Sequence, residues 1–215
     1  MSQLYMPFDS ETGGLDENKA DMLTWYGAIM TEDYQILDEL YLKLKPDGGR
    51  LPIAEAGALK VNGINVQKHM EDPETITYSE GKVKIEAMIR KHLKKNGRFS
   101  NITPMGYNVP FDLRWTQKHL FSQELWLATL HYKIWDVMQD VDFLKRAGWF
   151  PKELGSLTTV VDFLSIPKRA AHNAKEDTLM TIDVAKKVME IMKAKRDAGG
   201  GTGPQQDLIS LLEAE

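Results

Sequence analysis

The sequence contains no cysteine, and this absence removes several classes of chemistry at once. Disulfides, thiolate zinc sites and cysteine nucleophiles are all excluded, so any metal site must be built from carboxylates and histidines. Long apolar runs are also missing, because none approaches the roughly 18 to 20 residues that a membrane-spanning helix needs. The first residues lack the charged and apolar pattern of a secretory signal peptide. We therefore expect a cytoplasmic protein with no membrane partner.

A strong excess of charge of either sign is absent as well. The chain has 27 Lys and Arg residues against 31 Asp and Glu residues, a net charge of −4. Such a balance gives no global attraction to nucleic acid, so a phosphate substrate would have to be attracted by local cations or by bound metal. The length of 215 residues suits one substantial α/β domain. We expect this domain over residues 1–196, a glycine-rich linker over 197–204 and an amphipathic tail over 205–215.

Two carboxylates stand two residues apart where the first predicted strand meets a glycine turn. The strand is expected over residues 4–9, with a local irregularity at Pro7, since proline removes a ladder hydrogen bond. In an extended strand Asp9 and Glu11 project from the same face, close enough to share a hard cation. Alternatively, they are turn-formers at a strand end, a reading that Gly13 and Gly14 also favour. Further metal-ligating residues from elsewhere in the chain would favour the cation site over the turn.

Hydrophobic periodicity indicates an α/β fold around this strand. Further strands are predicted over 23–30, 35–45, 102–107 and 132–138, and helices over 54–59, 79–95, 110–120, 141–147, 157–164 and 174–195. In this arrangement Asp112 lies near the start of a helix that follows a strand. His172 lies in a loop five residues before Asp177, which is in the first turns of the last helix. An imidazole in that loop could reach a water held near a metal ligated by Asp177.

Three blocks of sequence, residues 8–15, 107–112 and 172–177, together resemble the motifs of the DEDDh 3′→5′ exonucleases, a DnaQ-like group. Their order and separations agree with that family, and residues 55–64 and 155–166 are similar to its linking segments. The resemblance covers about residues 4–192. It implies a ribonuclease-H-like α/β fold with a mixed five-stranded sheet flanked by helices.

The resemblance also assigns roles. It implies that Asp9, Glu11, Asp112 and Asp177 are metal ligands and catalytic residues that hold two Mg²⁺ or Mn²⁺ ions, with His172 as the general base. Two such ions can clamp a scissile phosphate, and a neutral imidazole can accept a proton from water at physiological pH. Without this spacing to Asp177, His172 would be an ordinary surface histidine.

Further positions match the family's substrate-binding residues. Those around the terminal nucleotide are Thr12, Gly13, Gly14, Leu15, Asn108 and Phe111. Lys168 and Arg169 are candidates to meet a backbone phosphate, although solvated side chains would look the same in sequence. The chain departs from the commonest pattern at Ser10, where the family often has threonine or leucine, and at Gly13, where it often has a second threonine. The second departure leaves the turn's backbone N–H groups to make the contacts and leaves sugar and base selectivity open.

The expected activity is release of nucleoside monophosphates from the 3′ end of single-stranded DNA, in proofreading or repair. Alternatives are an exoribonuclease for short RNA and an inactive nucleic-acid-binding subunit of the replisome. A glycosidase would also use paired carboxylates, but it would not need the histidine. The tail at 205–215 is similar to glutamine-led clamp- or polymerase-binding peptides without their aromatic pair. A frayed terminal helix is the alternative for the tail.

Overall fold

The computed structural model describes residues 3–96, 99–170 and 172–198. The strands in these residues are β1 (Leu4–Thr12), β2 (Met22–Thr31), β3 (Ile36–Lys45), β4 (Thr75–Thr77), β5 (Lys95–Asn96), β6 (Phe99–Ser100), β7 (Ile102–Gly106) and β8 (Trp135–Asp136). The helices are α1 (Ala56–Asn62), α2 (Val66–Glu71), α3 (Tyr78–His92), α4 (Val109–His119), α5 (Gln123–Thr129), α6 (Val137–Arg146), α7 (Leu157–Phe163) and α8 (Ala174–Ala198). A 3₁₀ turn covers Asp47–Gly49.

Six strands form one mixed sheet in the order β4-β3-β2-β1-β7-β8, and β5 pairs with β6 in a small separate ribbon. The first three strands form an antiparallel meander, whereas β7 is parallel to β1 and β8 is parallel to β7. Strand β1 thus lies inside the sheet with a partner on each side. Its carboxyl end meets the carboxyl end of β7 at the same edge, where ligand sites of α/β sheets are commonly found.

Helices cover both faces of the sheet. Leu4, Met6 and Phe8 of β1 belong to a buried cluster with α3, α4 and α5. Tyr5 instead packs against a second cluster formed with α6, α7 and α8. Since alternate side chains of a strand point to opposite faces, Asp9 and Glu11 fall on the α8 side, and Ser10 falls on the α4 side.

The predicted five-stranded sheet needs two corrections. A short parallel strand, β4, adds a sixth member at the edge beside β3. The predicted strand over 132–138 shrinks to Trp135–Asp136, because the Asp136 side chain accepts a hydrogen bond from the N–H of Met138 and caps α6. An aspartate in this position satisfies a free N–H of the first helical turn, so the helix starts early.

The irregularity expected at Pro7 takes the form of a gap in the pairing of β1 with β2, because Met6 and Pro7 have no paired residue in β2. Tyr5 pairs with Met30 and Phe8 pairs with Gly27, so the register with β2 is the same on both sides of the proline. The register shifts instead between Glu11 and Thr12. A bulge at this position increases the local twist at the end of the strand, where the acidic residues lie.

The predicted linker and tail lie almost wholly outside the described residues. Helix α8 continues through Ala198, two residues into the range expected for the linker, and residues 199–215 are not described. Within 3–96, 99–170 and 172–198, we find no helix with the length and apolar character that crossing a bilayer would require.

Candidate active site

Three acidic side chains meet where the carboxyl end of β1 passes the start of α8. Oxygen atoms of Asp9, Glu11 and Asp177 all lie within 4.8 Å of one another, and the three residues are half-buried. The strand places the first two on one face, and α8 packs against that face with Asp177 in its first turn. The structure therefore brings together residues that are 168 positions apart in sequence, since it joins Asp9 to Asp177.

The start of α8 is shaped by the two residues before it. Asn173 accepts hydrogen bonds from the N–H groups of Lys175 and Glu176 and so caps the helix. His172 has a left-handed backbone with φ 63° and an exposed side chain. Its backbone N–H donates to Oδ2 of Asp177 over 3.1 Å. The same aspartate therefore faces the acidic cluster and anchors the loop that carries the histidine.

Asp112 reaches the site from the opposite side of the sheet. It lies in the first turn of α4, which begins after Asn108 in a left-handed conformation with φ 62°. The side chain is buried, and its Oδ1 accepts hydrogen bonds from the backbone N–H and the hydroxyl of Ser10, at 3.0 and 2.6 Å. Asp112 is close enough for its charge to act on Asp9 and Glu11, but it is outside the 4.8 Å cluster.

The four carboxylates resist ionisation. Burial, followed by the charges of Asp112, Glu11 and Asp177, raises the pKa of Asp9 well above its ordinary value. Burial and the charges of Asp177 and Asp112 raise the pKa of Glu11 to about 8. Burial raises the pKa of Asp177 to about 6, against the opposing effect of His172. Burial also raises the pKa of Asp112, although the hydrogen bonds from Ser10 oppose the change.

This donor set fits a hard divalent cation. Carboxylate oxygens are the ligands that Mg²⁺ and Mn²⁺ prefer, and crowded acids with raised pKa values indicate a local deficit of positive charge. A cation among Asp9, Glu11 and Asp177 would remove that deficit. An acidic triad able to bind metal is thus present.

A cavity of about 330 Å³ opens beside Glu11. Its described lining residues come from the β1 turn and from α1 with the residue before it, and they are Glu11, Thr12, Gly14, Leu15, Glu55, Gly57, Ala58, Val61 and Asn62. Leu15 is 81% exposed and Val61 is 58% exposed, so two apolar side chains face solvent where a base could pack. None of these residues is Lys or Arg, and attraction of a phosphate here would depend on bound cations.

The glycine turn is packed tightly against residues 53–55. A Cβ at Gly13 would lie 2.5 Å from the carbonyl oxygen of Ile53, and one at Gly14 would lie 3.1 Å from Oε1 of Glu55. Backbone hydrogen bonds join Gly13 to Asp21 and Glu55. The close approach of the two segments explains why glycine stands where the resembling family often has threonine.

Asp21 and Arg50 support this turn from behind. The buried Asp21 carboxylate receives two hydrogen bonds from the Arg50 guanidinium, at 2.6 and 2.9 Å, and a third from the N–H of Ile53 at 2.7 Å. The Asn62 side chain also donates to the carbonyl oxygen of Thr12 over 3.1 Å. One wall of the cavity is therefore held by side chains that are distant in sequence.

The other predicted substrate contacts lie outside the cavity lining. Asn108 is exposed, and its backbone N–H donates to Asp136. The Phe111 ring packs near Trp115, with 6.2 Å between centroids.

Lys168 and Arg169 are already engaged with acids. Lys168 pairs with Asp162 at 2.9 Å, and Arg169 pairs with Asp183 at 3.1 Å and with Glu176 at 3.8 Å. Contact with a phosphate would require these cations to exchange partners.

Sequence reasoning did not assign Ser10, Glu55, Val61 or Asn62 to the site. The Asn62-Gly63 pair was a local signal for the position of Asn62. Gly63 ends α1 in a left-handed conformation, and the Asn62 side chain donates to the Thr12 carbonyl oxygen at the end of β1. No sequence signal pairs Ser10 with Asp112 across 102 positions.

A larger cavity, about 520 Å³, is lined by Phe99, Leu127, Leu130 and Tyr132. None of these described lining residues is an acid, so the chemistry of the side chains selects the smaller cavity as the candidate site.

No family model and no curated protein sequence matches the chain. Several solved structures are similar to the chain. Exonuclease I from Methylocaldum szegediense has a TM-score of 0.67 and 21% identity, over 87% of this chain and 40% of that one. The zinc-bound complex of E. coli exonuclease I with single-stranded DNA has a TM-score of 0.70 and 19% identity, over 92% of this chain and 43% of that one. The E. coli enzyme with a dT13 oligonucleotide has a TM-score of 0.66 and 17% identity, over 97% of this chain and 46% of that one.

These similarities establish the class of fold. The chain has the ribonuclease-H-like α/β fold that is also present in exonuclease I, with a six-stranded mixed sheet flanked by helices. It spans less than half the length of those exonucleases.

Proposed function

We propose that this protein is a metal-dependent 3′→5′ exonuclease that releases nucleoside monophosphates from single-stranded DNA. The observation that carries the proposal is the acidic cluster of Asp9, Glu11 and Asp177, with oxygens within 4.8 Å, on a fold shared with exonuclease I. The adjoining cavity beside Glu11 offers a place for a terminal nucleotide. We favour DNA because the E. coli neighbour was solved with single-stranded DNA and with a dT13 oligonucleotide.

Each residue of the site has a chemical role in this proposal. Asp9, Glu11, Asp112 and Asp177 would hold two Mg²⁺ or Mn²⁺ ions, and the chemistry supplied by such ions when bound would be charge neutralisation at the scissile phosphate and a lower pKa of the attacking water. His172 accepts the proton of that water as the general base. The His172 side chain is exposed in the loop before α8, and in this proposal it turns toward the acids when substrate binds.

The cavity orients the substrate. The backbone of the turn from Thr12 to Leu15 seats the sugar of the last nucleotide, and the exposed Leu15 and Val61 side chains pack against its base. Such contacts convert the attack into a reaction within one bound complex, and positioning of this kind contributes several kcal/mol to rate enhancement. Asn108 precedes α4 and Phe111 lies in its first turn, and in this proposal both contact the same nucleotide. Lys168 and Arg169 exchange their acidic partners for the backbone phosphates of the DNA strand.

The cellular setting is a further part of the proposal. We place the enzyme in the cytoplasm, in DNA proofreading or repair, with residues 205–215 as a peptide for a polymerase or sliding clamp. These residues lie outside the described part of the chain. Deletion of residues 199–215 tests the assignment of the tail: association with the cognate clamp should be lost while exonuclease activity remains. Binding that the deletion leaves unchanged, or no binding by the intact chain, would rule it out.

The activity is tested with matched 5′-labelled single-stranded DNA, RNA and mismatched duplex, each with Mg²⁺ or with EDTA. We expect shortening of DNA from the 3′ end only with Mg²⁺. Asp9→Ala and Asp177→Ala should abolish it, and His172→Ala should slow it by about 10²- to 10⁴-fold, the usual contribution of a general base. Asp33→Ala removes an exposed carboxylate from a turn and serves as the control.

Each alternative predicts a different pattern. Faster degradation of RNA would identify an exoribonuclease. Binding without shortening would identify an inactive binding subunit. A glycosidase would remain active in EDTA. Full nuclease activity in the Asp9 or Asp177 variant would contradict the site itself.

A further inference from the structure

Ser10 makes an unusual double contact with a carboxylate of the site. Its backbone N–H and its hydroxyl both donate to Oδ1 of Asp112, at 3.0 and 2.6 Å, and both side chains are buried, with exposures of 7% and 5%. A hydroxyl-to-carboxylate distance of this length is typical of a charge-assisted hydrogen bond. Since the N–H can only donate, Oδ1 is fixed as an acceptor.

The contact acts on Asp112 alone because of the geometry of β1. Ser10 lies between Asp9 and Glu11 but points to the other face of the sheet, where α4 presents Asp112. The hydroxyl is therefore directed away from the three clustered acids. Of the four acids of the candidate site, it engages Asp112, which is not part of the 4.8 Å cluster.

Both hydrogen bonds occupy the same oxygen of Asp112. Oδ1 accepts from two donors within one residue, and this fixes the rotation of the carboxyl group. Oδ2 is then the oxygen that can be offered to a cation. A carboxylate held in this way presents a single ligand atom in one orientation, which matters because Mg²⁺ tolerates little deviation from octahedral geometry.

We propose that Ser10 is a positioning residue that orients Asp112 as the ligand of a second divalent ion, distinct from an ion held by Asp9, Glu11 and Asp177. The inference rests on the proposed function for the presence of two ions. It adds that the middle residue of the Asp-Ser-Glu sequence controls how tightly the second ion binds. An apolar side chain at this position would leave only the backbone N–H to orient Asp112.

The test is calorimetric titration of the full chain with Mn²⁺, without nucleic acid, for wild type, Ser10→Ala, Ser10→Thr and Asp112→Asn. Ser100→Ala is the matched control, because Ser100 is also buried and hydrogen-bonded through its hydroxyl, to the N–H of Ile102 at 3.0 Å. The binding step that is present in wild type and lost in Asp112→Asn is assigned to the second ion. Thermal unfolding of each variant verifies that it is folded.

We expect Ser10→Ala to weaken the binding of the second ion by about tenfold or more, which is the factor that one hydrogen bond to a charged group contributes. In Ser10→Ala the first ion should bind with the wild-type affinity. In Ser10→Thr the second ion should also bind with the wild-type affinity. In nuclease assays, the Mn²⁺ concentration for half-maximal rate should rise by a similar factor in Ser10→Ala only.

Two results would overturn the proposal. One is a Ser10→Ala isotherm that matches wild type and Ser100→Ala. The other is a wild-type isotherm that Asp112→Asn leaves unchanged, which would mean that Asp112 holds no ion. If Mn²⁺ binds as expected but wild type does not shorten DNA, the assignment of Ser10 stands and the proposed function alone fails.

Discussion

The acidic cluster should destabilise the metal-free protein at high pH, and Glu11→Gln should remove part of this cost. The pKa of Glu11 rises from an ordinary 4.5 to about 8. Below pH 4.5 the group is protonated in both the folded and the unfolded chain, so it contributes no pH dependence there. Between pH 4.5 and 8 the unfolded chain ionises first, and the free energy of unfolding falls as pH rises. Above pH 8 the loss is complete.

The magnitude follows from that interval. One pKa unit corresponds to about 1.4 kcal/mol, which gives an upper limit of about 5 kcal/mol. Glu11 is only half-buried, and screening by solvent reduces such energies, so we expect a gain of about 2 kcal/mol for Glu11→Gln at pH 8 in EDTA. In a chain of this size, that gain raises the melting temperature by about 4 to 8 °C.

The assay is urea unfolding in EDTA at pH 4.5 and pH 8. Glu153→Gln, which changes an exposed glutamate, is the control and should follow wild type at both pH values. Added Mn²⁺ should stabilise wild type at pH 8 more than Glu11→Gln, because the variant has lost a ligand. If Glu11→Gln were less stable than wild type in EDTA at pH 8, the account of crowded, unneutralised acids would be refuted.

Two further predictions concern the walls of the cavity. Gly13→Ala should raise KM for an oligonucleotide more than it lowers kcat, since the new Cβ would lie 2.5 Å from the Ile53 carbonyl oxygen and displace that wall. Its control in steady-state kinetics is Gly155→Ala, whose new Cβ would lie 3.9 Å from its nearest neighbour, the Glu153 carbonyl oxygen, and outside the cavity lining. Arg50→Met should lower the free energy of unfolding by about 1 to 3 kcal/mol, because the buried Asp21 loses a charged donor. Unchanged urea unfolding of this variant would show that Asp21 does not need the ion pair.

The strands of the meander were predictable because their signals are local. Apart from Thr24, Gly27 and Thr31, the residues of β2 are apolar, and nine of the ten are buried, as expected for a strand covered on both faces. The predicted range of 23–30 differs from Met22–Thr31 by one residue at each end. The spacing of Asp9 and Glu11 likewise implies a shared face from strand geometry alone. Their meeting with Asp177 was predicted through a resemblance and not from any local pattern.

The missed features depend on contacts that are distant in sequence. Strand β4 has three residues and exists through its pairing with the end of β3. The end of the predicted strand at 132–138 became helix because Asp136 caps α6. Ser10 could not be linked to Asp112, since no periodicity connects residues on β1 and α4. Helix α5 did have a local signal, the capping Ser122, that a closer reading would have used.

We propose that water attacks the 3′-terminal phosphodiester at the site formed by Asp9, Glu11, Asp112 and Asp177. The most direct measurement is mass spectrometry of the products from a single-stranded DNA oligonucleotide digested in ¹⁸O-labelled water with Mg²⁺. We expect 5′-mononucleotides that each carry one ¹⁸O on the phosphate, and we expect none in EDTA or from the Asp177→Asn variant. Release of 3′-mononucleotides, internal cleavage, or labelled product from the Asp177→Asn variant would contradict it.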